Sequence, residues 1–511
     1  MVLARTFAVA LSGMKGAVVE VEADISSGLP AFILIGLPDA ALGEARQRVN
    51  AAALNVGCPL TSRKLTVNLS PAALRKQGSS FDLAIAIAAL AADGVIDAAS
   101  AADSIHVGEL GLDGRLRPVP GVLPSVLAAR DSGFRRVFVP AANEHEAALV
   151  DGIRICAVSS LRDAAIAHGS TLEPLEVEPI LSVGHEEPSE AEPDICDVAG
   201  NGDAVEALVV AAAGGHHLVM VGPPGAGKTM LARRLPSLLP DLTAAESLET
   251  TSIRSLSGNR IVSELISRPP FEAPHHTASA VALIGGGSGR IVPGAIVRAT
   301  HGILFLDEAA EFPRHVLDSL RQPLETGVID IHRATVTATY PARFQLVVAS
   351  NPCPCGHYGS RDSECSCTSL ARRRYLGRLS GPLLDRIDLR LNIPRLGLAD
   401  LRAANDTAAP TSAQLRVRVC QARERAQRRL AHTPWRRNAD VPGSWFRTGP
   451  LALSEATLHT LDRALERGSL TMRGYDRVLR TAWTLADLDE SPRPNGDHIG
   501  RALYFRQGYG S

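Results

Sequence analysis

Short, continuous apolar runs alternate with helical patterns through the middle of the chain. Leu218–Val221, residues 302–306 and residues 345–349 are such runs, and each has the length of a buried strand. Strands that are apolar on both faces are typical of parallel sheets covered by helices. A helical pattern follows the first run from residue 230 onward. The pattern predicts an α/β fold around a parallel sheet for this part of the chain.

The two ends of the chain have different patterns. Apolar and polar residues alternate at residues 18–22 and 65–69, which predicts strands, whereas residues 81–90 have the apolar character of a buried helix. We therefore expect a mixed α+β domain at the N-terminal end. Beyond about residue 400, long Arg-rich helical patterns replace the strands and predict a helical C-terminal domain.

A segment of unusual composition separates the first two regions. Residues 171–195 contain seven Glu, one Asp and four Pro but no Lys or Arg, which favours an extended chain over a packed core. The expected organisation is a domain, a linker, a second domain and a helical domain, at residues 1–170, 171–195, 196–398 and 399–511.

The bulk composition is that of an ordinary globular protein, with 45% hydrophobic and 21% charged residues and a formal net charge of −1 over 511 residues. No apolar run approaches the roughly 20 residues that span a bilayer. The first 19 residues run into an alternating strand pattern, and the eight Cys residues do not resemble a secreted disulfide framework. We expect no signal peptide, no membrane partner and a cytoplasmic location.

A glycine-rich segment directly after the first apolar run carries the clearest chemical signal. It has the pattern G-x-x-x-x-G-K-T, in which glycines let backbone N–H groups turn onto phosphate oxygens at the start of the next helix. An Asp-Glu pair ends the run at 302–306 and supplies the acidic partner motif. Together the two motifs predict a P-loop ATPase that binds ATP and Mg²⁺. The expected ligands are Gly222, Pro223, Pro224, Gly225, Ala226, Gly227, Lys228, Thr229 and Asp307.

Each polar residue of these motifs has an expected role. Lys228 would contact the β- and γ-phosphates, and Thr229 and Asp307 would hold Mg²⁺. Glu308 is then placed to orient and activate the attacking water. Asn351 follows the strand at 345–349, so we expect it beside the γ-phosphate at the carboxyl edge of the sheet. The alternative for Asn351 is a turn-forming role before a proline.

Four cysteines are crowded into a short segment. Cys353 and Cys355, and Cys365 and Cys367, form two C-x-C pairs with nine residues between them. The cluster suggests a structural Zn²⁺ ion, although this spacing is tighter than the usual two to four intervening residues. His357 could also replace one of the thiolates. The other alternative is four reduced thiols at the surface.

Several stretches give the chain a resemblance to a known family. They are Pro-Phe-Glu-Ala-Pro-His-His-Thr at 270–277, the acidic motif at 302–308, Ser-Asn-Pro-Cys-Pro-Cys-Gly at 350–356, Ser-Gly-Pro-Leu-Leu-Asp-Arg-Ile-Asp at 380–388, and Gly-Leu-Pro-Asp-Ala at 36–40. The chain resembles, end to end, the ComM/YifB family within the magnesium-chelatase-like branch of AAA+ ATPases. The resemblance implies an AAA+ core with a C-terminal helical lid.

The resemblance also implies roles for arginines. Arg386 would be an arginine finger that reaches the nucleotide of a neighbouring subunit, where it stabilises developing phosphate charge. Arg473 would be a second sensor on the lid, and Arg477, one turn further along the same helix face, is its rival. The alternative for each is a solvated arginine on a helix.

Lys228 and Asp307 are 79 positions apart, which is more than a minimal strand–helix–strand connection requires. We expect a loop or hairpin at 270–297 that projects from the second helix, and a second hairpin around 327–337. Simple turn chemistry is the alternative reading of both. The candidate DNA contacts are His275, His276, Arg290, His332, Arg333, the run Arg372, Arg373 and Arg374, and the helix at 416–429.

The N-terminal domain is similar to the Lon-protease-like, ribosomal-S5-like fold, on the stretches at 75–80, 108–115 and 119–122. Proteolytic relatives pair a Ser with a Lys, but here Ser80 is matched by Leu123 at the Lys position. A serine without a base is a poor nucleophile, so we expect no peptidase activity.

The resulting prediction is a ring-forming, hexameric ATP-driven DNA motor, with branch migration in homologous recombination and natural transformation as the function that the family implies. The alternative is a magnesium-chelatase-type motor subunit that acts on a tetrapyrrole.

Overall fold

The computed structural model describes residues 2–36, 44–60, 64–72, 74, 76, 78–180, 192–258, 262–287, 291–333, 336–358, 365–397 and 409–507. The strands are β1 Val2–Ser12, β2 Lys15–Ser26, β3 Ala31–Ile35, β4 Lys64–Ser70, β5 Ile105–His106, β6 Glu109–Leu110, β7 Leu116–Arg117, β8 Arg136–Pro140, β9 Arg154–Val158, β10 Leu218–Val221, β11 Phe271–Glu272, β12 Gly285–Gly286, β13 Val292–Pro293, β14 Ile303–Leu306, β15 Val328–Arg333, β16 Val336–Pro341, β17 Gln345–Ser350 and β18 Leu389–Asn392.

The α-helices are α1 Ala45–Asn55, α2 Asp82–Ala92, α3 Ala98–Ala102, α4 Val122–Asp131, α5 Glu144–Ala147, α6 Leu161–Ala167, α7 Gly202–Gly214, α8 Lys228–Leu238, α9 Ala244–Ser257, α10 Ala280–Ile284, α11 Ala295–Arg298, α12 Arg314–Asp318, α13 Arg321–Thr326, α14 Ser369–Leu376, α15 Gly381–Leu384, α16 Ser412–Arg429, α17 Gly443–Arg447, α18 Glu455–Glu466, α19 Met472–Leu488 and α20 Gly496–Gln507.

A mixed sheet organises the N-terminal part of the chain. Its strand order is β3-β4-β2-β1-β5-β8-β9. The long strands β1 and β2 pair antiparallel, and alternate residues of β2 are buried, as its sequence pattern predicts. Helix α2 is buried along its whole length against this sheet because nearly all its residues are apolar. The expectation of a mixed α and β architecture is therefore confirmed for this part.

A five-stranded sheet with the order β11-β14-β17-β10-β18 organises the middle of the chain. All of its pairings are parallel. Strands β10, β14 and β17 are buried at every position, which explains their continuous apolar sequences. The α/β prediction is confirmed, and β17 lies between the strand that precedes the glycine-rich loop and the strand that precedes Asp307.

The C-terminal part is helical in the residues that the structure describes. Helices α16, α19 and α20 pack on α7 and β18, and share one apolar cluster with one face of the parallel sheet. Trp483 of α19 is among the largest fully buried side chains. The helices are thus packed directly on the sheet that carries the glycine-rich loop.

The N-terminal part also packs on the middle of the chain. Helix α4 lies against α9, where Gly121 N donates to Ser255 O at 3.1 Å, and the Ser255 hydroxyl donates to the buried Glu146 carboxylate. Burial raises the pKa of Glu146. The turn after β1 meets the hairpin β15–β16, where a Cβ at Gly13 would lie 2.7 Å from Thr339 O. A cavity of about 310 Å³ lies between the two parts.

The prediction of one projecting loop at 270–297 is wrong in its first residues. Phe271 and Glu272 form β11, the edge strand of the parallel sheet, because Phe271 pairs with Ile303 in register. The remainder forms α10, the small hairpin β12–β13 and α11. The second predicted hairpin is present as β15 and β16. Among the described residues, none of the helices combines the length and the apolar character needed to span a membrane.

Candidate functional site

The glycine-rich loop closes around its own lysine. Gly227 has a φ of +87°, a conformation that favours glycine, and it lets the chain turn from the loop into α8 at Lys228. The Lys228 ammonium donates to Gly222 O at 2.6 Å and to Pro223 O at 2.9 Å. Burial lowers the pKa of Lys228 from its usual value. The loop thus holds a largely buried cation at the start of a helix.

The acidic motif lies directly beside this helix. The Thr229 hydroxyl donates to Asp307 Oδ2 at 2.6 Å, and Asp307 Oδ1 accepts the backbone N–H of Glu308 at 2.9 Å. Glu308 has a left-handed backbone conformation with a φ of +49°, and its side chain is exposed. A left-handed residue that is not glycine is uncommon and occurs often at functional sites.

Asn351 lies between the two motifs because its strand does. Strand β17 pairs with β10 on one side and β14 on the other, so the residue that follows it emerges between Lys228 and Asp307. Asn351 Oδ1 accepts a hydrogen bond from Lys228 Nζ at 3.1 Å. The structure therefore brings Asn351 together with the glycine-rich loop, as the strand pattern predicts.

The Glu308 carboxylate contacts a histidine for which the sequence predicts a different role. His276 Nδ1 lies 3.2 Å from Glu308 Oε2, and the His275 and His276 rings are 4.1 Å apart. His276 was expected among the DNA contacts. It reaches the acidic motif because β11 pairs with β14, which brings the segment after β11 to the same edge of the sheet. The signal in the sequence was weak, since β11 has two residues.

The three predicted arginines have different surroundings. Arg386 lies near α13, where it forms an ion pair with Glu325 and donates to Pro382 O at 2.6 Å. Its side chain is 11% exposed. Arg473 is exposed at the start of α19. Arg477 donates to Asp388 Oδ1 at 3.0 Å and so links α19 to the parallel sheet. Of the two sensor candidates, Arg477 is the one in contact with the core.

The site fits a magnesium nucleotide. The hydrogen-bond acceptors of the buried Lys228 are neutral oxygens, so the cation is available for an anionic ligand. At Gly225, a Cβ would meet nothing within 4 Å, which leaves the outer face of the loop open. Thr229 and Asp307 offer the hydroxyl and carboxylate oxygens that Mg²⁺ prefers.

The four clustered cysteines come together beside this loop. The Sγ atoms of Cys353, Cys355, Cys365 and Cys367 all lie within 4.8 Å of one another, and the thiols are free. The predicted cluster is therefore present as a spatial group.

The candidate DNA contacts are dispersed. His275, His332, Arg373 and Arg374 are exposed, and Arg372 stacks on Tyr358 with its guanidinium carbon 4.0 Å from the ring centre. Arg290 and the Arg333 side chain lie outside the described residues.

Four of the six arginines of helix α16 form ion pairs with acidic side chains of the chain. Arg416 pairs with Asp241, Arg418 with Glu206, Arg425 with Glu490 and Arg429 with Asp487. The expectation that this helix supplies phosphate contacts stays a prediction, and these four arginines also hold α16 on its neighbours.

Ser80 lines the cavity between the two parts of the chain, together with Ser79, Leu256 and Tyr340. Leu123, the residue expected at the lysine position of proteolytic relatives, is fully buried. The second part of the chain therefore covers this side of the N-terminal sheet.

Comparisons with known proteins agree with these features. The family models "Subunit ChlI of Mg-chelatase", "Magnesium chelatase, subunit ChlI" and "Magnesium chelatase, subunit ChlI C-terminal" match residues 21–143, 194–401 and 409–506. The chain is 48% identical over 511 residues to an uncharacterized protein of Mycobacterium tuberculosis, with 99% of each chain covered.

Two further relatives match over almost the whole chain. The competence protein ComM of Haemophilus influenzae is 40% identical over 507 residues, with 99% of this chain and 98% of the relative covered. The protein YifB of Escherichia coli is 40% identical over 501 residues, with 97% of this chain and 95% of the relative covered.

Proposed function

Because the chain belongs to the ComM/YifB family of magnesium-chelatase-like AAA+ proteins, we propose that it is a ring-forming ATPase that drives branch migration of DNA. Family membership supports the ATPase activity, ATP and Mg²⁺. The observation that carries this part of the proposal is the contact of Thr229 with Asp307, together with that of Lys228 with Asn351. These two hydrogen bonds join the three segments that an ATPase site requires.

Each residue of the site has its own proposed role in binding or hydrolysing ATP. The loop from Gly222 to Gly227 would wrap the phosphates, and Lys228 would exchange its carbonyl partners for phosphate oxygens. Thr229 and Asp307 would hold Mg²⁺, which supplies charge neutralisation at the transferred phosphoryl group. Glu308 would orient water for attack and accept its proton, and Asn351 would hold the same water or the γ-phosphate in line.

Assembly completes the proposed site. Arg386 would leave Glu325 and contact the nucleotide of a neighbouring subunit, and an arginine supplied in this way contributes strongly to phosphoryl transfer. Arg473 or Arg477 would act as the second sensor from a helical lid at residues 399–511. A ring, with six subunits as the proposed number, follows from the head-to-tail geometry that such a finger needs.

The DNA part of the proposal draws on the relative from Haemophilus influenzae, which is named a competence protein. We propose that this branch migration takes place during homologous recombination and natural transformation. The exposed His275, His332, Arg373 and Arg374 are the proposed backbone contacts, and Arg290 and Arg333 belong to the same set by sequence. A location in the cytoplasm accompanies this proposal.

The N-terminal domain, residues 1–170, is proposed to have a Lon-protease-like fold without peptidase activity. Leu123 offers no base to Ser80, and the domain at 196–398 packs over the cavity that Ser80 lines. Residues 171–195 would be the linker. Cys353, Cys355, Cys365 and Cys367 are proposed as ligands of a structural Zn²⁺ ion.

A second candidate function is a magnesium-chelatase-type motor acting on a tetrapyrrole-metal insertion partner. The observation in its favour is that all three matching family models describe the chelatase subunit ChlI. The full-length match to ComM favours the DNA motor.

The two functions are separated by ATPase rates of the full chain. Phosphate release is measured without DNA, with duplex DNA and with a synthetic four-way junction, beside the Glu308→Gln variant as control. We expect the junction to raise the rate and the variant to hydrolyse no ATP. Equal rates with and without every DNA form would overturn the DNA motor and favour the chelatase-type function.

A further inference from the structure

The four cysteine sulfur atoms have the separations of a metal cluster. Cys353 Sγ lies 3.4 Å from Cys355 Sγ and 3.7 Å from Cys365 Sγ, and the last two are 3.6 Å apart. Four thiolates at about 2.3 Å from one tetrahedral Zn²⁺ ion are separated by about 3.8 Å. A disulfide would require about 2.05 Å. The arrangement therefore matches a zinc tetrahedron rather than two disulfides.

Backbone N–H groups support thiolates at this cluster. Tyr358 N donates to Cys353 Sγ at 3.4 Å, and the backbone N–H of His357 donates to Cys355. Such second contacts orient metal ligands and tune their charge. Four thiolates this close repel one another, so a dication is the natural counter-charge. Zinc is favoured among divalent ions because all four donors are soft sulfur atoms.

The segment between the two cysteine pairs approaches the glycine-rich loop closely. Gly356 lies between the two cysteine pairs and has a φ of +80°. A Cβ at Gly356 would lie 2.6 Å from Cδ of Pro224, so only a glycine lets the backbone approach the loop this closely. Pro224 is in the middle of the loop that would wrap the phosphates.

The same segment also holds Asn351. Asn351 contacts Lys228 and is followed two residues later by the fully buried Cys353. Residues 351–356 thus touch the nucleotide site at both ends, through Asn351 and through Gly356, with two thiols between these contacts. Because the segment has no helix or strand of its own, the thiols are the groups available to fix its shape.

We propose that the four thiolates bind one Zn²⁺ ion, and that this ion braces the glycine-rich loop and Asn351 in the shape that binds nucleotide. The zinc site is thereby a determinant of nucleotide affinity. This inference rests on the proposed ATPase function only for its second half, since metal binding depends on the cysteines alone.

The test measures zinc and nucleotide separately in the full chain. Zinc per protomer is measured by mass spectrometry of metals in wild type, Cys365→Ser, Cys367→Ser and the matched control Cys196→Ser, whose thiol is exposed and outside the cluster. The dissociation constant of a fluorescent ADP is measured with Mg²⁺ present. Wild type is also treated with a zinc chelator and then given Zn²⁺ alone.

The expected result is one zinc per protomer in wild type and Cys196→Ser, and a strong loss of zinc in the two cluster variants. Zinc removal should weaken ADP binding about tenfold, which is about 1.4 kcal/mol, and Zn²⁺ alone should restore it. The chelated wild type carries no substitution. Recovery of ADP binding on adding Zn²⁺ therefore tests the role of zinc even if the cysteine variants fail to fold.

Wild type without zinc would overturn the whole inference. If wild type contains one zinc per protomer but its removal leaves the affinity for ADP unchanged, the proposal that zinc supports the glycine-rich loop is wrong. If zinc-loaded wild type binds one zinc but no nucleotide, the proposed ATPase function fails while the metal site stands. If the protein binds zinc and shows zinc-dependent ADP binding but its ATPase is not stimulated by DNA, only the proposed DNA motor function is contradicted.

Discussion

His276 and Glu308 face each other across two neighbouring strands, with Nδ1 of the histidine 3.2 Å from Oε2 of the glutamate. The segment of His276 follows strand β11, and Glu308 lies just beyond strand β14, so the pairing of these strands brings the two residues together. Glu308 is the residue proposed to accept a proton from water. The contact with His276 occupies that carboxylate, so under the proposed mechanism it would restrain hydrolysis.

The first prediction concerns this restraint. His276→Ala should raise the DNA-free ATPase rate about two- to fivefold, since a partly exposed polar contact of this kind contributes up to about 1 kcal/mol. The rate of phosphate release at saturating ATP is the measurement. His275→Ala is the control, because the exposed His275 ring contacts the Thr277 hydroxyl rather than Glu308, so its loss should leave the DNA-free rate unchanged. A lower rate in His276→Ala would mean that the histidine positions Glu308 for catalysis.

Mixing two inactive variants tests the proposed arginine finger. Lys228→Ala removes nucleotide binding from its own subunit, and Arg386→Ala removes the finger offered to a neighbour. In randomly mixed rings about one quarter of the interfaces combine an intact loop with an intact finger, because the interface is head-to-tail. The mixture should therefore recover up to about that share of wild-type ATPase activity. A mixture as inactive as its components would place Arg386 outside the shared site.

The contact between Asp388 and Arg477 predicts a stability effect in the C-terminal helices. Asp388→Asn should lower the free energy of unfolding by about 3–5 kcal/mol, since it leaves a partly buried guanidinium without its charge partner. Denaturant unfolding followed by tryptophan fluorescence measures this directly. The three tryptophans, Trp435, Trp445 and Trp483, all lie in the C-terminal part. Asp497→Asn, at an exposed position of α20, should change little.

The same pair predicts a pH dependence. Burial by itself raises the pKa of a carboxyl, but Arg477 and His216 hold the pKa of Asp388 well below its usual value. Because the pKa of Asp388 is lower in the folded than in the unfolded state, its ionised form stabilises the fold. This contribution is complete above the unfolded pKa of about 3.9 and is lost as the pH falls below it. The difference in the free energy of unfolding between wild type and Asp388→Asn should therefore be constant from about pH 5 to about pH 7. It should shrink below about pH 4. A difference that grows on acidification would contradict this assignment.

The parts of the fold that the sequence predicts are those with strong local signals. Strands β10, β14 and β17 are apolar at every position, and Gly227 and Lys228 mark the start of α8. Strand order, by contrast, depends on packing between distant segments. Once the strand pattern places Asn351 at the sheet edge, its contact with Lys228 follows.

The features that escaped prediction depend on long-range pairing. Strand β11 is two residues long, so nothing local indicated that His276 would reach Glu308. Arg386 pairs with Glu325, 61 positions away, and four arginines of α16 pair with acids spread over the chain. Periodicity locates such charges on a helix face but carries no information on what that face meets.

Movement of a DNA junction by the full chain tests the central proposal most directly. A labelled synthetic four-way junction with homologous arms is incubated with Mg²⁺ and ATP, and the resolved duplex products are quantified on native gels. Wild type should produce them, whereas Glu308→Gln and wild type with a non-hydrolysable ATP analogue should not. Wild-type protein that hydrolyses ATP in the presence of the junction and yet leaves its arms unmoved would contradict the account.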